Sequence, residues 1–259
     1  MFVLIGCPVY DRSWILSHWF DAIKNQDYGL DNIGFIFNVS IDDTETIDAL
    51  NHFKEQNSNI RYFSIIENNT EIHSSHPEGQ RHWSHEKYKK MANLRNQILD
   101  IVSEVQPDRF YSLDSDILLE NPRTISELVQ ISAKGTGVDA VSTLSFMTPT
   151  GTEFPSTMSW VGAPGDIAFR TISYPFGSLF KSDIIMASVM MNPQVYKNVR
   201  YQMHRQGEDL GWSLNAGMKG YDLYLASYLY TPHIMSKAAL EHYLQHGDER
   251  RNVAKVCNG

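Results

Sequence analysis

The sequence predicts a single α/β domain with a mixed, mostly parallel sheet flanked by helices. In the first half of the chain, short apolar runs alternate with stretches of helical periodicity, which is typical of βαβ units. The 259 residues are 42% hydrophobic and 20% charged, as in an ordinary globular protein. A chain of this length buries a core without disulfides or metals. We therefore expect one domain over residues 1–259, with halves at 1–119 and 120–259.

The first 66 residues contain three short apolar runs separated by two amphipathic stretches. Each run is bounded by polar turn residues, and each amphipathic stretch repeats apolar residues three or four apart. Asp42, Asp43 or Thr44 is expected to cap the second helix, because its side-chain oxygen accepts a backbone N–H. The predicted elements, in order, are strand Phe2–Ile5, helix Trp14–Lys24, strand Ile33–Val39, a helix ending near Gln56 and strand Ile60–Ile66.

The rest of the chain begins with the clearest helix, residues 86–104, whose apolar residues share one face. Pro107 and Asp108 end it, and apolar runs predict the strands that follow. Gly220 ends the last helix. The predicted elements are helix Glu86–Glu104, strand Arg109–Leu113, strand Asp139–Ser145, helix Leu210–Lys219 and strand Tyr221–Tyr230. Residues 146–169 lack periodicity and are expected to form a substrate-covering loop, with Trp160 either stacking on a sugar or packing the loop down.

Charge and composition exclude several function classes. The formal charge of −8 argues against nonspecific coating of a polyanion. The N-terminal apolar run stops at Pro8, too early for a signal peptide or a membrane span. Cys7 and Cys257 lie at opposite ends, so neither a disulfide framework nor a CxxC metal pair is expected. These features favour a cytoplasmic protein without a membrane partner.

The triplet Asp114-Ser115-Asp116 follows a predicted strand directly. Carboxyl ends of parallel strands form the ligand-binding edge of an open α/β sheet. Two carboxylates there are suitable ligands for Mg²⁺ or Mn²⁺, whose shell is completed by substrate oxygens. The alternative is a solvated acidic turn. The apolar runs on both sides favour the cation site, because two buried acids need a positive partner.

A second acidic cluster, GEDLGW, opens the helix at residue 210. Acids in a first turn commonly complement the helix dipole, which is the simpler explanation. The functional interpretation makes Glu208 or Asp209 a general base that removes the proton of an attacking hydroxyl. Trp212 is then a candidate wall of a sugar pocket.

Arg95 and His233 complete the candidate constellation. Arg95 falls at the edge of an apolar helix face, so it either needs an anionic partner or extends its head to solvent. His233 follows the last strand and is a candidate metal ligand, although His242 and His246 compete for that role and a structural histidine is the commoner case.

Three segments together resemble metal-dependent GT-A glycosyltransferases. Residues 85–129, HEKYKKMANLRNQILDIVSEVQPDRFYSLDSDILLENPRTISELV, are similar to a stretch of procollagen galactosyltransferases and of mannan-polymerase subunits. FNVSIDDT at 37–44 resembles the strand and acidic turn after the first βα unit of such enzymes. GEDLGWSLNAGMKGYDLYL at 207–225 resembles their ED motif.

The resemblance implies a GT-A fold with a Rossmann-like nucleotide-sugar half at 1–119 and an acceptor half at 120–259. It implies Mn²⁺ or Mg²⁺ as cofactor and a nucleotide-sugar donor, with UDP as the expected nucleotide. The implied site residues are, for the metal, Asp114, Asp116 and His233; for catalysis, Asp209 and then Glu208; for the donor, Pro8, Tyr10 and Asp42 at the nucleobase, Arg95 at a phosphate or at Asp114, Asp114 at the ribose, and Trp212 at the sugar.

The expected reaction is an inverting transfer of the sugar to a hydroxyl acceptor. One candidate acceptor is a hydroxymethylated pyrimidine in phage DNA, held by a basic rim of Lys87, Lys89, Lys90 or the pair Arg250-Arg251. A solvated helix face is the simpler explanation of those lysines. Protein and saccharide hydroxyls are equally open as acceptors.

Two other classes of protein remain as alternatives. A haloacid-dehalogenase-like phosphatase also uses a DxD after an apolar strand with Mg²⁺, but places it earlier in the chain. A nonenzymatic carbohydrate-binding protein would use Trp160, Trp212 and the acids to bind sugar and cation without transfer.

Overall fold

A computed structural model describes residues 1–69, 84–146, 156–160, 167–168 and 177–250, with backbone alone at 158–160 and 167–168. Most of the predicted substrate-covering loop, the Trp160 side chain and Arg251 lie outside the described part. The strands are β1 Val3–Val9, β2 Ile33–Ser40, β3 Tyr62–Asn68, β4 Arg109–Leu113, β5 Ala140–Leu144, β6 Thr157–Trp160, β7 Ile167–Ala168, β8 Leu179–Lys181, β9 Ile184–Ile185, β10 Ser188–Met191 and β11 Leu223–Tyr230.

Helices lie between the strands and pack on the faces of the sheet. A 3₁₀ turn at Leu30–Asn32 precedes β2. The helices are α1 Ser13–Lys24, α2 Thr44–Gln56, α3 His85–Val105, α4 Thr124–Ile131, α5 Pro193–Asn198, α6 Glu208–Met218 and α7 Lys237–His246. All the predicted elements occur, most of them with ends shifted by a few residues. The elements α4, α5, α7 and β6 to β10 were not predicted.

The main sheet has eight strands in the order β3-β2-β1-β4-β10-β5-β11-β8. β1 to β4 are parallel to one another, and β5 and β11 are parallel. β10 runs antiparallel between β4 and β5, and β8 runs antiparallel to β11 at the edge. A small sheet has the order β7-β6-β9. The predicted α/β class with a mixed, mostly parallel sheet is confirmed.

The first strand shows how the sequence builds both layers. Val3 and Ile5 belong to the core under α1 and α2, whereas Leu4 belongs to the core under α3, the alternation that a strand imposes. At Gly6 a Cβ atom would lie 2.5 Å from the Phe110 ring and 2.6 Å from the Ile98 side chain. Glycine therefore permits α3 and β4 to pack closely against β1.

This topology places the carboxyl ends of β1, β2 and β4 along one edge of the sheet, where ligands bind in open α/β folds. The acidic triplet lies at this edge, because Asp114 directly follows β4. Across the described residues, no helix combines the length and the apolar character needed to span a membrane.

Candidate active site

The Asp114–Asp116 turn is fixed by backbone hydrogen bonds. The Asp114 N–H donates to the Ala187 carbonyl at 2.9 Å, and the Trp19 indole donates to the Asp114 carbonyl at 3.1 Å. Asp116 is only 4% exposed. Ser115 and Asp116 are therefore buried in an ordered turn and Asp114 is partly exposed, so the alternative of a fully solvated turn does not fit the triplet.

The Asp116 carboxylate lies between two basic side chains. Its Oδ1 is 3.3 Å from Nε2 of His233, and its Oδ2 is 3.3 Å from the Arg12 guanidinium. Arg12 precedes α1 and also donates to the Asp11 carbonyl at 3.1 Å. The fold thus brings together an acid from the end of β4 and a histidine from the end of β11.

The backbone fixes His233 against the DxD turn. Ile117 and His233 form an antiparallel bridge, and the Ile234 N–H donates to the Asp116 carbonyl at 2.7 Å. Nδ1 of His233 is 3.2 Å from the Phe146 carbonyl oxygen. A carbonyl oxygen only accepts, so this hydrogen bond puts a proton on Nδ1 and turns Nε2 toward Asp116.

Arg95 joins two acidic segments. Its guanidinium donates to Asp114 Oδ1 at 2.8 Å, to Glu208 Oε1 at 3.1 Å and to the Ser112 hydroxyl at 3.2 Å. Asp209 lies 3.9 Å from the same guanidinium. Arg95 is 6% exposed, so the expectation of an inward arginine with an anionic partner holds, and the solvent-extended alternative is wrong.

Glu208 and Asp209 form the first turn of α6. Burial raises the pKa of Asp209 to about 8, with Glu208 and Asp114 adding to the increase and Arg95 opposing it. Burial also raises the pKa of Glu208. The Glu208 side chain is 8% exposed and that of Asp209 is 20% exposed. Asp209 is thus the more accessible acid of the pair.

Two residues of this site carry no signal in the sequence. Tyr201 lies under the Arg95 guanidinium, 5.4 Å from ring centroid to Cζ, and its hydroxyl donates to Ser112. Ala187 has a positive φ of 68°, and its N–H donates to the Asp209 carboxylate. A non-glycine residue with positive φ costs energy, and such strain gathers at functional sites. Neither position follows from local periodicity.

The structure assigns other contacts to several residues that were predicted to bind the nucleotide-sugar donor. Trp212 is fully buried, stacked on Tyr201 at 5.9 Å, so the expectation that it walls a sugar pocket does not fit. Asp42 is exposed, while its neighbour Asp43 caps α2 and accepts the Asp11 N–H at 2.6 Å. Pro8 and Tyr10 are half-buried at the end of β1.

Residues 2–139, more than half of the chain, match the family model described as "Glycosyltransferase family 25, N-terminal domain". The chain belongs to glycosyltransferase family 25. Membership in this family favours the expected glycosyltransferase over the phosphatase and over the nonenzymatic carbohydrate-binding protein.

Two curated relatives agree with the family. This chain is 25% identical over 132 residues to a "Glycosyltransferase 25 family member" of Aedes aegypti, covering 50% of this chain and 22% of the relative. It is 40% identical over 52 residues to "Procollagen galactosyltransferase 1-A" of Xenopus laevis, covering 20% of this chain and 8% of the relative. The matches thus span less than a quarter of either relative.

Solved structures show the same fold at low identity. A mannosyltransferase of Pyrobaculum calidifontis with GDP-Man and Mn²⁺ has a TM-score of 0.59 and 14% identity, covering 98% of this chain and 67% of that one. S. aureus TarS 1-349 with UDP-GlcNAc has a TM-score of 0.53 and 12% identity, covering 90% and 58%. GalNAc-T7 with UDP, GalNAc and Mn²⁺ has a TM-score of 0.59 and 10% identity, covering 90% and 44%. The family 25 chain has the GT-A fold.

The predicted metal ligands of this family 25 chain are only partly assembled. Asp116 and His233 are in contact, whereas Asp114 faces Arg95. In the part of the chain that the structure describes, no group of three or more His, Cys, Asp or Glu side chains is arranged to hold a metal ion. His242 and His246, the competing candidates, are exposed on α7 and contact each other.

Two residues of the predicted basic rim, Lys90 and Arg250, form ion pairs with neighbouring acids. Lys90 pairs with Glu86 at 3.5 Å on the exposed start of α3. Arg250 is not presented to solvent, because its guanidinium binds Asp248 at 2.6 Å and its side chain is 11% exposed. Arg250 is therefore a poor candidate for gripping a DNA backbone.

Proposed function

We propose that this glycosyltransferase transfers a sugar from a UDP-sugar to an acceptor hydroxyl, with a divalent cation and with inversion at the anomeric carbon. The observation that carries the proposal is the contact between Asp116 and His233 at the end of β4, one residue from the Arg95-linked acid Asp114. Two structural neighbours are complexes with nucleotide sugars, GDP-Man and UDP-GlcNAc, and they support a donor of this class.

The donor atoms of this pair fit a divalent cation. The Nδ1–H of His233 donates to the Phe146 carbonyl, which leaves Nε2 as the ring nitrogen that faces the Asp116 carboxylate. Two electron-pair donors 3.3 Å apart repel each other unless a proton or a metal ion lies between them. Metal-ligating histidines commonly donate their other ring N–H to a backbone carbonyl, as this one does.

The charge of the site also favours a cation. Four carboxylates surround it, from Asp114, Asp116, Glu208 and Asp209, against the two guanidinium groups of Arg12 and Arg95. With all four acids ionised, these groups would carry a formal charge of about −2. Burial raises the pKa values of Glu208 and Asp209, so a bound cation would stabilise their ionised forms. Two structural neighbours are complexes with Mn²⁺, which supports a metal of that kind.

Asp116 and His233 would hold this cation, and Asp114, which Arg95 binds, lies on the same turn. A divalent cation would neutralise the negative charge that develops on the departing nucleotide diphosphate. Arg95 contributes by fixing the position of Asp114 through a 2.8 Å hydrogen bond. Arg12, beside Asp116, adds positive charge where a diphosphate would lie.

Asp209 is the proposed general base. Arg95 binds Glu208 at 3.1 Å and leaves Asp209 at 3.9 Å, so Glu208 acts as a positioning residue and Asp209 is the acid exposed to an acceptor. A base with a pKa near the working pH accepts a hydroxyl proton well. A base that activates an acceptor against the departing diphosphate leads to inversion.

The proposed acceptor is a hydroxyl group, and the molecule that bears it is the variable in the experiment. The name of the Xenopus laevis relative indicates transfer of galactose to procollagen by that protein. Burial of Arg250 weakens the case for DNA, because that residue was half of the predicted basic pair. Saccharide, peptide and hydroxymethylated DNA acceptors therefore belong in one panel.

The test is a transfer assay with purified protein, Mn²⁺, and a panel of UDP-sugars and GDP-mannose. We expect nucleotide-diphosphate release and an anomerically inverted product by NMR. Asp116→Ala should abolish turnover at every Mn²⁺ concentration. Asp209→Asn should keep Mn²⁺-dependent UDP binding and lose transfer. Asp100→Asn, at an exposed acid of α3, is the control and should behave as wild type.

Three results would contradict the proposal. Mn²⁺-dependent turnover by Asp116→Ala would remove the cation site from this position. A normal rate for Asp209→Asn would refute the base assignment. A product with retained configuration would refute inversion.

A further inference from the structure

Three polar side chains form a clamp beside His233. The Tyr230 hydroxyl donates to Asp248 Oδ2 at 2.7 Å. Arg250 donates to both oxygens of Asp248, at 2.8 and 2.6 Å, and also to the His233 carbonyl at 3.1 Å. We call Tyr230, Asp248 and Arg250 the clamp. It fastens the segment after α7 onto the turn that carries His233.

The clamp donates a hydrogen bond to the backbone carbonyl of His233, which forms a β-bridge with Ile117. In that bridge the Leu118 N–H donates to the Pro232 carbonyl and the Ile234 N–H donates to the Asp116 carbonyl. With those bonds, the carbonyl of His233 itself points away from Ile117. Because His233 is buried, its carbonyl needs a partner on that side, and Arg250 donates to it.

The bidentate arrangement of the clamp is typical of a fixed rather than a mobile arginine. Two parallel N–H···O bonds hold the guanidinium plane in one orientation. Burial would raise the pKa of Asp248, yet the hydrogen bonds from Arg250 and Tyr230 hold it below its usual value. Asp248 and Arg250 are therefore both ionised. The hydrogen bond from Tyr230, at the end of β11, fixes the orientation of the Asp248 carboxylate.

We propose that Arg250 is a positioning residue for cation binding: by holding the His233 carbonyl, the clamp keeps the imidazole directed at Asp116. This inference rests on the proposed role of His233 as a metal ligand. His233 is thereby fixed on three sides, by the DxD turn, by the Phe146 carbonyl and by Arg250. Groups that orient a metal ligand affect affinity nearly as strongly as ligands do.

Geometry and charge make opposite predictions for Arg250. If Arg250 acted only as a positive charge near the site, its removal would strengthen Mn²⁺ binding, and lysine would behave as arginine does. If the clamp positions His233, Arg250→Ala weakens binding, and Arg250→Lys weakens it too, because an ammonium group lacks the planar fork.

The experiment is a titration of the folded full chain with Mn²⁺, with and without UDP, followed by the EPR signal of free Mn²⁺. We expect Arg250→Ala and Arg250→Lys to raise the Mn²⁺ dissociation constant roughly tenfold. Tyr230→Phe, which removes one hydroxyl and keeps the ring, should show a smaller increase. Arg123→Ala, which removes an exposed arginine paired with Glu127, is the matched control and should bind as wild type does.

Thermal melts of the same samples separate positioning from folding. A clamp that only stabilised the fold would lower the melting temperature and leave the Mn²⁺ dissociation constant of folded protein unchanged, and that result would overturn the inference. Should Arg250→Ala fail to fold, Tyr230→Phe and Arg250→Lys decide by the same measurement. If wild type binds no Mn²⁺ under either condition, the proposed metal dependence itself fails, and this inference with it.

Discussion

Replacing Arg95 with methionine tests the idea that one buried guanidinium holds the acidic site together. Arg95 is 6% exposed and hydrogen-bonds to Asp114, Glu208 and Ser112. Methionine preserves most of the side-chain volume and removes the charge. Two buried carboxylates then lose their cation, and breaking a buried ion pair from one side costs about 3–5 kcal/mol.

A melting experiment gives this cost a scale. For a chain of this size, 1 kcal/mol corresponds to roughly 2–4 °C in melting temperature, so Arg95→Met should lower it by roughly 10 °C. Arg200→Met is the matched control, because Arg200 forms an ion pair with Asp100 whose two side chains are exposed. Exposed pairs contribute about 0–1 kcal/mol, so the control should lose less than about 4 °C.

The pH dependence supplies a second condition. Burial already raises the pKa values of Glu208 and Asp209, and Arg95→Met removes the cation that opposes this shift, so these two acids keep their protons more readily at low pH and are then less costly to bury. The deficit of Arg95→Met should therefore be larger at pH 8 than at pH 5. Melting temperatures of Arg95→Met and Arg200→Met within about 2 °C of each other at pH 8, or a deficit that grows toward pH 5, would refute the reasoning.

Two further predictions concern Asp209 and Asp43. Asp209 has a pKa of about 8 in the folded chain and an ordinary value of 3.8, so the folded state binds an extra proton between these values, and its contribution to stability is lost as pH rises toward 8. In urea unfolding, the free energy of unfolding of Asp209→Asn relative to wild type should therefore increase from pH 5 to pH 8, by at most ~1.4 kcal/mol per pH unit. A relative free energy of unfolding that does not change with pH would contradict this. Asp43→Ala removes the α2 cap and the tether to Asp11 and should cost about 1 kcal/mol in the same assay. Asp42→Ala, at the exposed neighbour, should leave stability within about 0.5 kcal/mol and weaken UDP binding if Asp42 borders the nucleobase; equal stability losses for the two variants would refute the distinction.

Local patterns in the sequence were sufficient for the main elements. The strand Arg109–Leu113 was predicted with the bounds that the structure has, and the helix predicted at 86–104 was found at His85–Val105. Periodicity of two or of three to four residues encodes the faces of strands and helices. β10 was missed, although it is buried between β4 and β5, because its four residues, Ser188–Met191, are too few to show a period of their own.

The chemistry of the site was also visible in residue types, but the partners were not. From the sequence, Arg95 needed an anion, and Asp114 or a phosphate were the candidates. The packing of α3 against α6 adds Glu208, which lies far along the chain. Trp212 suggested a sugar pocket by its position beside two acids, yet α6 directs it into the core against Tyr201.

By itself, the sequence determined the α/β class, the family, the acidic turn after β4 and the acids that open α6. The family resemblance already led us to expect Asp116 and His233 at one site, and they are in contact. Tertiary structure alone decided that Arg95 hydrogen-bonds to Glu208 rather than to Asp209, and that Arg250 binds Asp248 beside His233 instead of forming a basic rim. The physical reason is that spacing along a chain specifies which side chains share a face of one element, whereas contacts between distant elements depend on how the whole sheet and its helices pack.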